Sequence, residues 1–271
     1  MSNVVLALLT RTETAPVILG AARRLAVLLG GARIEALVMR VPPISTILVT
    51  EEVLTKAQEQ KIRDRENRRA AALHGVFEVW AAGHEGLNAL RWIDEEDMTE
   101  TLVRKWGERA DYIVAGQPPA QGSRAEADGL HSALFSSDRP VLMVPAQAKS
   151  DFGRIVALAW REDRFTLRAV MAALRCIPES VEIHVLMGRR EGAPPPQVPE
   201  VLTEHGVRVI GHELAIGGEV FGAQLVAKAR ELHCDMLVMG AFVHSAWRNL
   251  LFGGVTRYML AHADIPVLLR H

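Results

Sequence analysis

The sequence predicts an α/β protein of two tandem doubly wound domains, each with a five-stranded parallel sheet. Short apolar runs, which are typical of buried strands, alternate with longer segments in which apolar residues recur at helical spacing. The same alternation begins again in the second half of the chain. Because crossover helices must cover both faces of a parallel sheet, this alternation predicts helices on both sides of each sheet.

The first half combines five predicted strands with a long helical insertion. The predicted strands lie at residues 4–9, 34–39, 90–93, 112–115 and 141–144. A helix capped by Thr14 follows the first strand, a long charged helix spans residues 51–82, and a third helix covers residues 98–109. The long helix mixes charges of both signs, so we interpret its polar face as solvated.

The second half repeats this order without the long helix. Its predicted strands lie at residues 155–160, 181–186, 207–210, 236–239 and 267–269. Asp163 is the predicted cap of the helix that follows the first of these strands. The segment from Ala193 to Pro196 ends in consecutive prolines and marks a loop after the second strand.

Two short blocks of sequence recur at nearly the same offset, which indicates a duplication. Residues 111–116 match residues 235–240 at an offset of 124, and residues 138–142 match residues 264–268 at an offset of 126. Both blocks lie at equivalent places in the alternation of strands and helices. We therefore interpret the chain as a tandem repeat of one structural unit.

The repeat predicts two similar domains, at residues 1–147 and 153–271. Each half closes with a Pro-Val-Leu strand, which begins at Pro140 and at Pro266. We expect the halves to pack through these last strands about a pseudo-twofold axis. The helix at 51–82 has no counterpart in the second half, and we expect it to cover an interface.

One stretch near the carboxyl end has the pattern of a phosphate-binding turn. The buried strand at 236–239 ends at Gly240, and the pair Gly253-Gly254 opens a helix thirteen residues later. The first N–H groups of a helix have no partner within the helix, so a glycine pair at this place can bind an anion. The stretch therefore predicts a phosphate site at the carboxyl edge of a parallel sheet.

These glycines resemble the motif of the universal stress protein family, whose fold is Rossmann-like and similar to that of the adenine nucleotide alpha hydrolases. Gly240 matches the first glycine of the family motif and Gly253 the third, with Val255 and Thr256 following as in the family. The sequence departs from the motif twice. Val243 stands where the second glycine belongs, and Gly254 replaces a serine.

The resemblance implies a nucleotide site in the second half, with ATP as the candidate cofactor. The residues that it assigns to this site are Trp160, Val185, Met239, Gly240, Gly253, Gly254, Val255 and Thr256. Val185 stands where relatives offer a backbone group to the adenine, and Trp160 either stacks on the base or packs beneath the motif loop. Arg161 stands where nucleotide-binding relatives place an aspartate. These departures imply that ATP binding is weak or absent.

The first half lacks the glycines of this motif. Counting back from Pro140 as from Pro266, the positions of the glycine pair fall on Ala127 and Asp128. A carboxylate that faces a phosphate would repel it. We therefore predict that the first half carries a pseudo-site that binds no nucleotide.

No catalytic arrangement is evident in the sequence, and we expect the protein not to be an enzyme. Neither first strand is followed by Gly-x-Gly-x-x-Gly, and Gly-x-Ser-x-Gly is absent. No general base lies near the motif glycines. The ten histidines are scattered without metal-ligand spacing, so no metal is expected.

Composition excludes several classes of partner and compartment. The 31 basic and 32 acidic residues give no reason to expect a nucleic-acid or membrane surface. No apolar run approaches the ~20 residues of a membrane span. The amino terminus lacks the basic region of a secretory signal, and the two cysteines, Cys176 and Cys234, form no paired motif. We expect free, buried thiols and a reducing cytoplasm.

Two classes of function remain after these exclusions. The first is a non-catalytic stress-response module in which ATP or a related nucleotide binds the second half and alters contacts with a protein partner. The second is a ligand-free scaffold that acts through protein–protein surfaces. A nucleotide hydrolase or adenylating enzyme is a weaker third alternative. We expect either a homodimer or a monomer with pseudo-dimeric symmetry.

Overall fold

The computed structural model describes residues 3–46, 54–84, 89–119, 124–178, 181–217, 220–241 and 254–271. In the first half, strands and crossover helices form where apolar periodicity changes along the chain. The elements are β1 (Val4–Leu8), α1 (Ala15–Leu28), β2 (Arg33–Arg40), a short 3-10 helix (Pro43–Thr46), α2 (Lys56–Ala82), β3 (Leu90–Glu96), α3 (Thr99–Gly107), β4 (Tyr112–Gly116), α4 (Arg124–Ser136) and β5 (Val141–Val144).

The second half has the same order of strands without an equivalent of α2. Its elements are β6 (Ile155–Trp160), α5 (Arg164–Leu174), β7 (Glu182–Arg189), α6 (Glu200–Glu204), β8 (Arg208–Ala215), α7 (Phe221–Glu231), β9 (Met236–Gly240), α8 (Gly254–His262) and β10 (Val267–Arg270). The predicted α/β class is confirmed. The domain limits at 147 and 153 stay a prediction.

The ten strands of the described residues belong to one continuous sheet, in the order β3-β2-β1-β4-β5-β10-β9-β6-β7-β8. Neighbours within each half are parallel, whereas β5 and β10 pair antiparallel with Leu142 opposite Leu268. These two leucines are equivalent in the sequence repeat, so the pseudo-twofold axis passes between them. The predicted packing through the last strands is confirmed, and the sheet has internal symmetry although it is continuous.

The two halves share their apolar core. One buried cluster covers each face of the sheet, and both clusters contain residues from both halves. Tyr112 of β4 is fully buried, and its hydroxyl donates a 2.6 Å hydrogen bond to the carbonyl of Ala172 in α5. Burial raises the pKa of Tyr112 above its ordinary value, so this donor stays protonated. The junction is therefore packed and hydrogen-bonded like a domain interior.

The predicted caps had different outcomes. Asp163 caps α5 as expected, because its carboxylate accepts 2.9 Å hydrogen bonds from the backbone N–H groups of Phe165 and Thr166. Thr14 precedes α1 but makes no side-chain cap, because its own backbone is already helical, with φ −98° and ψ −17°. Its hydroxyl donates instead to the carbonyl of Arg11.

The long helix α2 starts later than predicted and lies over its own half. Thr55 and Gln58 form a reciprocal capping box that begins the helix at Lys56, and residues 51–53 lie outside the described residues. The helix contacts α1, β2 and β3. It buries only one side of its surface, at Glu66, Ala70, Leu73 and Phe77. An interface on its outer face stays a prediction.

Two edge strands run past their predicted ends. β3 continues from Ile93 through three acidic residues, because Asp94 and Glu96 pair with Arg40 on the neighbouring strand. β8 continues to Ala215, beyond the apolar run that predicted it. Apolar pattern therefore underestimates strands whose last residues are held by ion pairs.

The remaining global expectations concern thiols and membranes. Cys176 and Cys234 are free and buried, as predicted, and burial raises the pKa of each thiol to about 12. Across the described ranges, none of the helices has the length and apolar character that a membrane span requires.

Candidate functional site

A cleft of about 1180 Å³ lies at the carboxyl ends of β6, β7 and β9 in the second half. The strand order changes direction here, because β6 pairs with β7 on one side and with β9 on the other. Ligands of doubly wound sheets bind at such a point. The volume is slightly above the ~300–1,000 Å³ that is usual for small-molecule sites.

The strand-end residues of the predicted site come together at this cleft. Trp160, Met239 and Gly240 line it, and Trp160 and Gly240 lie side by side because Ala159 pairs with Met239. A Cβ on Gly240 would lie 2.8 Å from the backbone nitrogen of Thr166. Gly240 is therefore needed for the close approach of α5 to β9, whether or not a phosphate binds nearby.

The first turn of α5 supplies little free positive charge to the cleft. Asp163 accepts from the first N–H groups of the helix, as described above. The Nε atom of Arg161 lies 2.9 Å from a carboxylate oxygen of Asp163, and the arginine side chain is 62% exposed. The arginine that replaces the aspartate of nucleotide-binding relatives is thus neutralised by its neighbour.

The amino end of α8, where the sequence predicts an anion site, lies at the cleft. Gly254, Val255 and Thr256 line the cleft, and Thr256 is buried with 1% exposure. A Cβ on Gly254 would meet no atom of the described residues within 4 Å, so among these residues the serine of the family motif would fit here. Gly253 and Val243 lie outside the described residues.

Val185 does not reach the cleft through its side chain, which is fully buried in the core. The residues of β7 that line the cleft are Leu186, Met187 and Gly188. A Cβ on Gly188 would lie 2.7 Å from Cδ1 of Ile216 and 2.9 Å from Cζ of Phe221. Gly188 therefore lets these two apolar side chains close over the end of β7.

The sequence predictions missed one wall of the cleft. Pro194, Pro195 and Pro196 line it, together with the segment that leads into α6. Arg189 holds this wall in place, because its Nε donates a 2.9 Å hydrogen bond to the carbonyl of Ala193. Its Nη1 donates to Glu213 at 2.9 Å. The consecutive prolines were the available signal, since proline restricts the backbone and favours an extended, rigid segment.

The equivalent place in the first half is closed by α2. By strand register, Thr10 and Met39 are equivalent to Arg161 and Gly188, two residues that line the open cleft. Arg69 of α2 donates hydrogen bonds to the carbonyl oxygens of Thr10 at 3.1 Å and Met39 at 2.6 Å. The backbone carbonyl groups at the ends of β1 and β2 therefore accept hydrogen bonds from the guanidinium group of Arg69.

A buried carboxylate lies at the end of β4 in the first half, where the second half has the end of β9 and the predicted phosphate site. Glu126 in the first turn of α4 is 3% exposed, and one of its oxygens lies near Gly116, the equivalent of Gly240. Within the described residues neither carboxylate oxygen has a hydrogen-bond partner, and Arg11 approaches only to 3.6 Å. Burial raises the pKa of Glu126, while Arg11 opposes the rise.

The predicted position of this carboxylate was wrong by two residues. Asp128, which we expected to face the phosphate position, is exposed. The inward-facing carboxylate is Glu126, because the first turn of α4 directs that side chain toward β4. A pseudo-site without nucleotide stays the prediction for the first half.

The part of the chain that the structure describes has no group of side chains suited to bind a metal ion. No three or more His, Cys, Asp or Glu side chains there are arranged to hold an ion. The charged residues that line the cleft are Arg161, Glu162, Arg190 and Glu200.

Comparison with known proteins agrees with this geometry. The sequence profile of the universal stress protein family matches residues 190–271. The fold is similar to a universal stress protein from Archaeoglobus fulgidus DSM 4304, with a TM-score of 0.66, 14% identity, and coverage of 100% of this chain and 98% of that one.

A second solved structure is also similar over its whole length. It is a functionally unknown protein from Pseudomonas aeruginosa PAO1, with a TM-score of 0.59 and 14% identity, covering 99% of this chain and 92% of that one. No curated protein sequence matches this chain.

Proposed function

We propose that the protein is a non-catalytic stress-response module with one ligand site, because residues 190–271 match the profile of the universal stress protein family and the whole chain has the fold of such a protein. The site is the cleft of the second half. The observation that carries the proposal is the asymmetry between the halves. Equivalent strand ends are bonded to Arg69 in the first half and line a 1180 Å³ cleft in the second.

The candidate ligand is ATP or a related adenine nucleotide. Its phosphates would accept hydrogen bonds from the N–H groups of Gly254, Val255 and Thr256, together with that of Gly253. Support comes from the place of α8 at the strand ends, where a helix N-terminus favours an anion. The missing serine hydroxyl at Gly254 removes one charge-assisted hydrogen bond, worth about 1.5–3 kcal/mol.

Weak affinity follows from these losses taken together. Val243 adds bulk at a position where the family has a glycine, and Arg161 is paired with Asp163. We expect binding about two to four orders of magnitude weaker than in relatives with the full motif, at 1.4 kcal/mol per tenfold. Titration calorimetry of the wild type and the double variant Val243→Gly, Gly254→Ser measures this difference. Tight ATP binding by the wild type with no gain in the variant would contradict the proposal.

Absence of catalysis is part of the proposal. Phosphoryl transfer needs an oriented water or nucleophile and usually a metal ion held by carboxylates. Asp163, one of the two carboxylates that follow β6, is occupied with the cap of α5 and with Arg161. Steady phosphate release that disappears in a Gly253→Asp variant would place the protein among enzymes instead.

A ligand-free scaffold is the second candidate, and the surface of α2 favours it. This helix of 27 residues buries only four of them and exposes Val79 by 78%. Such an outer face could contact a second copy or another protein. Mass spectrometry of the purified, denatured protein for bound nucleotide distinguishes the two candidates, and light scattering of a Val79→Asp variant tests the surface.

A further inference from the structure

We propose that the cleft of the second half binds an amphipathic ligand with one anionic group and a large apolar body more tightly than it binds a nucleoside triphosphate. The inference rests on the proposed function, since it requires this cleft to be a ligand site. It assigns the chemical class of the ligand from the walls and charges of the cleft.

The walls leave apolar surface open to solvent. Leu167 of α5 and Ile216, which follows β8, both line the cleft and are each 43% exposed. Trp160, Met187 and Phe221 line it as well. Covering such surface stabilises a complex by about 25 cal/mol per Å² before the costs of association. A ligand with an extended apolar body would cover this apolar surface and be stabilised by it, whereas a ribose and phosphate chain would not.

The apolar wall is held in shape by contacts of the protein itself. Arg189 ties the proline segment to β7 and β8 through Ala193 and Glu213. The missing side chain of Gly188 lets Ile216 and Phe221 pack over the end of β7. The wall is therefore formed before a ligand arrives, which lowers the ordering cost of binding.

The charges around the cleft favour a single negative group. Arg161 and Arg190 are matched by Glu162 and Glu200 among the lining residues, so their charges cancel. Asp163 adds a further carboxylate beside Arg161. Among the described residues that line the cleft, the anion-binding feature left after this pairing is the amino end of α8, equivalent to roughly half a positive charge. One carboxylate matches this end, and the several charges of a triphosphate do not.

The direct experiment is titration calorimetry of the full chain with three probes. Decanoate and 1-naphthoate represent aliphatic and aromatic monocarboxylates, and ATP represents the triphosphate. We expect at least one carboxylate to bind with a 1:1 stoichiometry and about tenfold more tightly than ATP, a difference of 1.4 kcal/mol. The carboxylate that binds more tightly then shows whether the cleft prefers an aliphatic or an aromatic apolar body.

Two variants on one helix locate the bound probe. Leu167 and Met171 lie on successive turns of α5, and their side chains have nearly equal exposure, 43% and 44%. Of the two, only Leu167 lines the cleft. We expect Leu167→Glu to weaken carboxylate binding by about tenfold or more, and Met171→Glu to change it less than twofold. The thermal midpoint of each variant without a probe serves as the folding control.

Three outcomes would overturn the inference. ATP binding more tightly than both carboxylates would show a nucleotide site and leave the proposed function standing. Equal weakening by the two variants would show adsorption outside the cleft. Failure of every probe, with the thermal midpoint lowered by Leu167→Glu alone, would show that the chain itself covers this surface. If the Val243→Gly, Gly254→Ser variant also binds no ATP, the proposed function fails as well.

Discussion

The two halves have equivalent strand ends, but the space at these ends is filled by side chains in the first half and is an open cleft in the second. In the first half, Arg69 donates hydrogen bonds to the carbonyl groups of Thr10 and Met39, and Glu126 is buried near Gly116, the equivalent of Gly240. In the second half, the same strand ends line a wide cleft. Duplication therefore repeated the sheet without repeating the site.

The closed site shows which residues decide this difference. The strands themselves are nearly identical in register, and the change comes from one inserted helix and one glutamate in the first turn of α4. Arg69 satisfies strand-end carbonyls that would otherwise bond to water or to a ligand. A site in such a fold is thus lost when side chains from adjacent helices of the same protein fill it, while the sheet stays unchanged.

The largest effect is expected at the glycines that end β9 and β4. A Cβ on Gly240 would press on the backbone of α5 at 2.8 Å, whereas a Cβ on Gly116 would meet the flexible end of Ile18 at 3.3 Å. We expect Gly240→Ala to lower the free energy of unfolding by about 3 kcal/mol and Gly116→Ala by about 1 kcal/mol or less. Urea denaturation measures both values. Equal losses would show that the two strand ends are packed alike.

Removal of Arg69 is expected to have the next largest effect. Arg69→Ala loses two charge-assisted hydrogen bonds to strand-end carbonyls, and we expect a loss of about 2 kcal/mol. Arg68→Ala is the matched control, because Arg68 is exposed on the same helix, and it should change stability by less than about 0.5 kcal/mol. The same urea series measures both. Similar values for the two variants would mean that α2 does not close the first site through Arg69.

Glu126 gives a smaller effect that depends on pH. Its raised pKa means that the folded protein binds a proton more readily than the unfolded chain, so its contribution to stability is complete below about pH 4.3 and is lost as pH rises. Glu126→Gln carries no charge, and we expect it to be more stable than the wild type by about 1 kcal/mol at pH 7.5, with the difference shrinking toward pH 4.

The control for this series is Glu13→Gln. Glu13 also pairs with Arg11, but it is 66% exposed, so its replacement should change stability little at either pH. If Glu126→Gln is instead destabilised at pH 7.5, the ion pair with Arg11 outweighs the cost of burying the carboxylate.

Sequence patterns predicted the fold well because its signals are local and repeated. The predicted limits of β5 and β6 agree with the structure, and the Pro-Val-Leu repeat predicted the β5–β10 junction. The ends of β3 and β8 were predicted too early, because ion pairs between strands extend them and apolar periodicity does not register such pairs.

The site was predictable only in part. Glycine spacing and the family resemblance together predicted that Trp160, Gly240 and Thr256 meet at one cleft, and they do so because parallel strands end at the same edge of the sheet. Spacing could not show that Glu126 rather than Asp128 turns inward, since that depends on the direction of the first turn of α4. Nor could it show that Arg69, far away in sequence, bonds the ends of β1 and β2.

A final difference between the halves lies at one buried position of the second strand. Glu35 of β2 and His184 of β7 are equivalent by register and are 0% and 6% exposed. Glu35 pairs with Arg33 at 3.0 Å. His184 instead places Nδ1 2.9 Å from Nε2 of His212 and Nε2 3.0 Å from Glu182. Only the second half therefore has a histidine pair at this position.

The histidine pair predicts the smallest effect, a loss of protection of β8 in mild acid. Burial, the neighbouring His184 and Lys228 of α7 hold the pKa of His212 below its ordinary value, with Glu231 opposing them. The unfolded chain then binds the proton more readily, so stability falls as pH drops below about 6.5. Glu182, which lies 3.0 Å from Nε2 of His184, is also 3.0 Å from Nη1 of Arg208.

Hydrogen exchange at pH 7.5 and 5.5, corrected for intrinsic rates, measures this effect on β8 against β3 at the opposite edge of the sheet. We expect β8 to lose protection relative to β3 at the lower pH, because β8 carries His212 of the histidine pair and β3 carries no member of it. His212→Gln keeps a donor for Nδ1 of His184 but has no ionisable group, so it should remove most of the pH dependence. An unchanged dependence in this variant would assign the acid response to other groups, and the two edges of the sheet would then differ for a reason outside this pair.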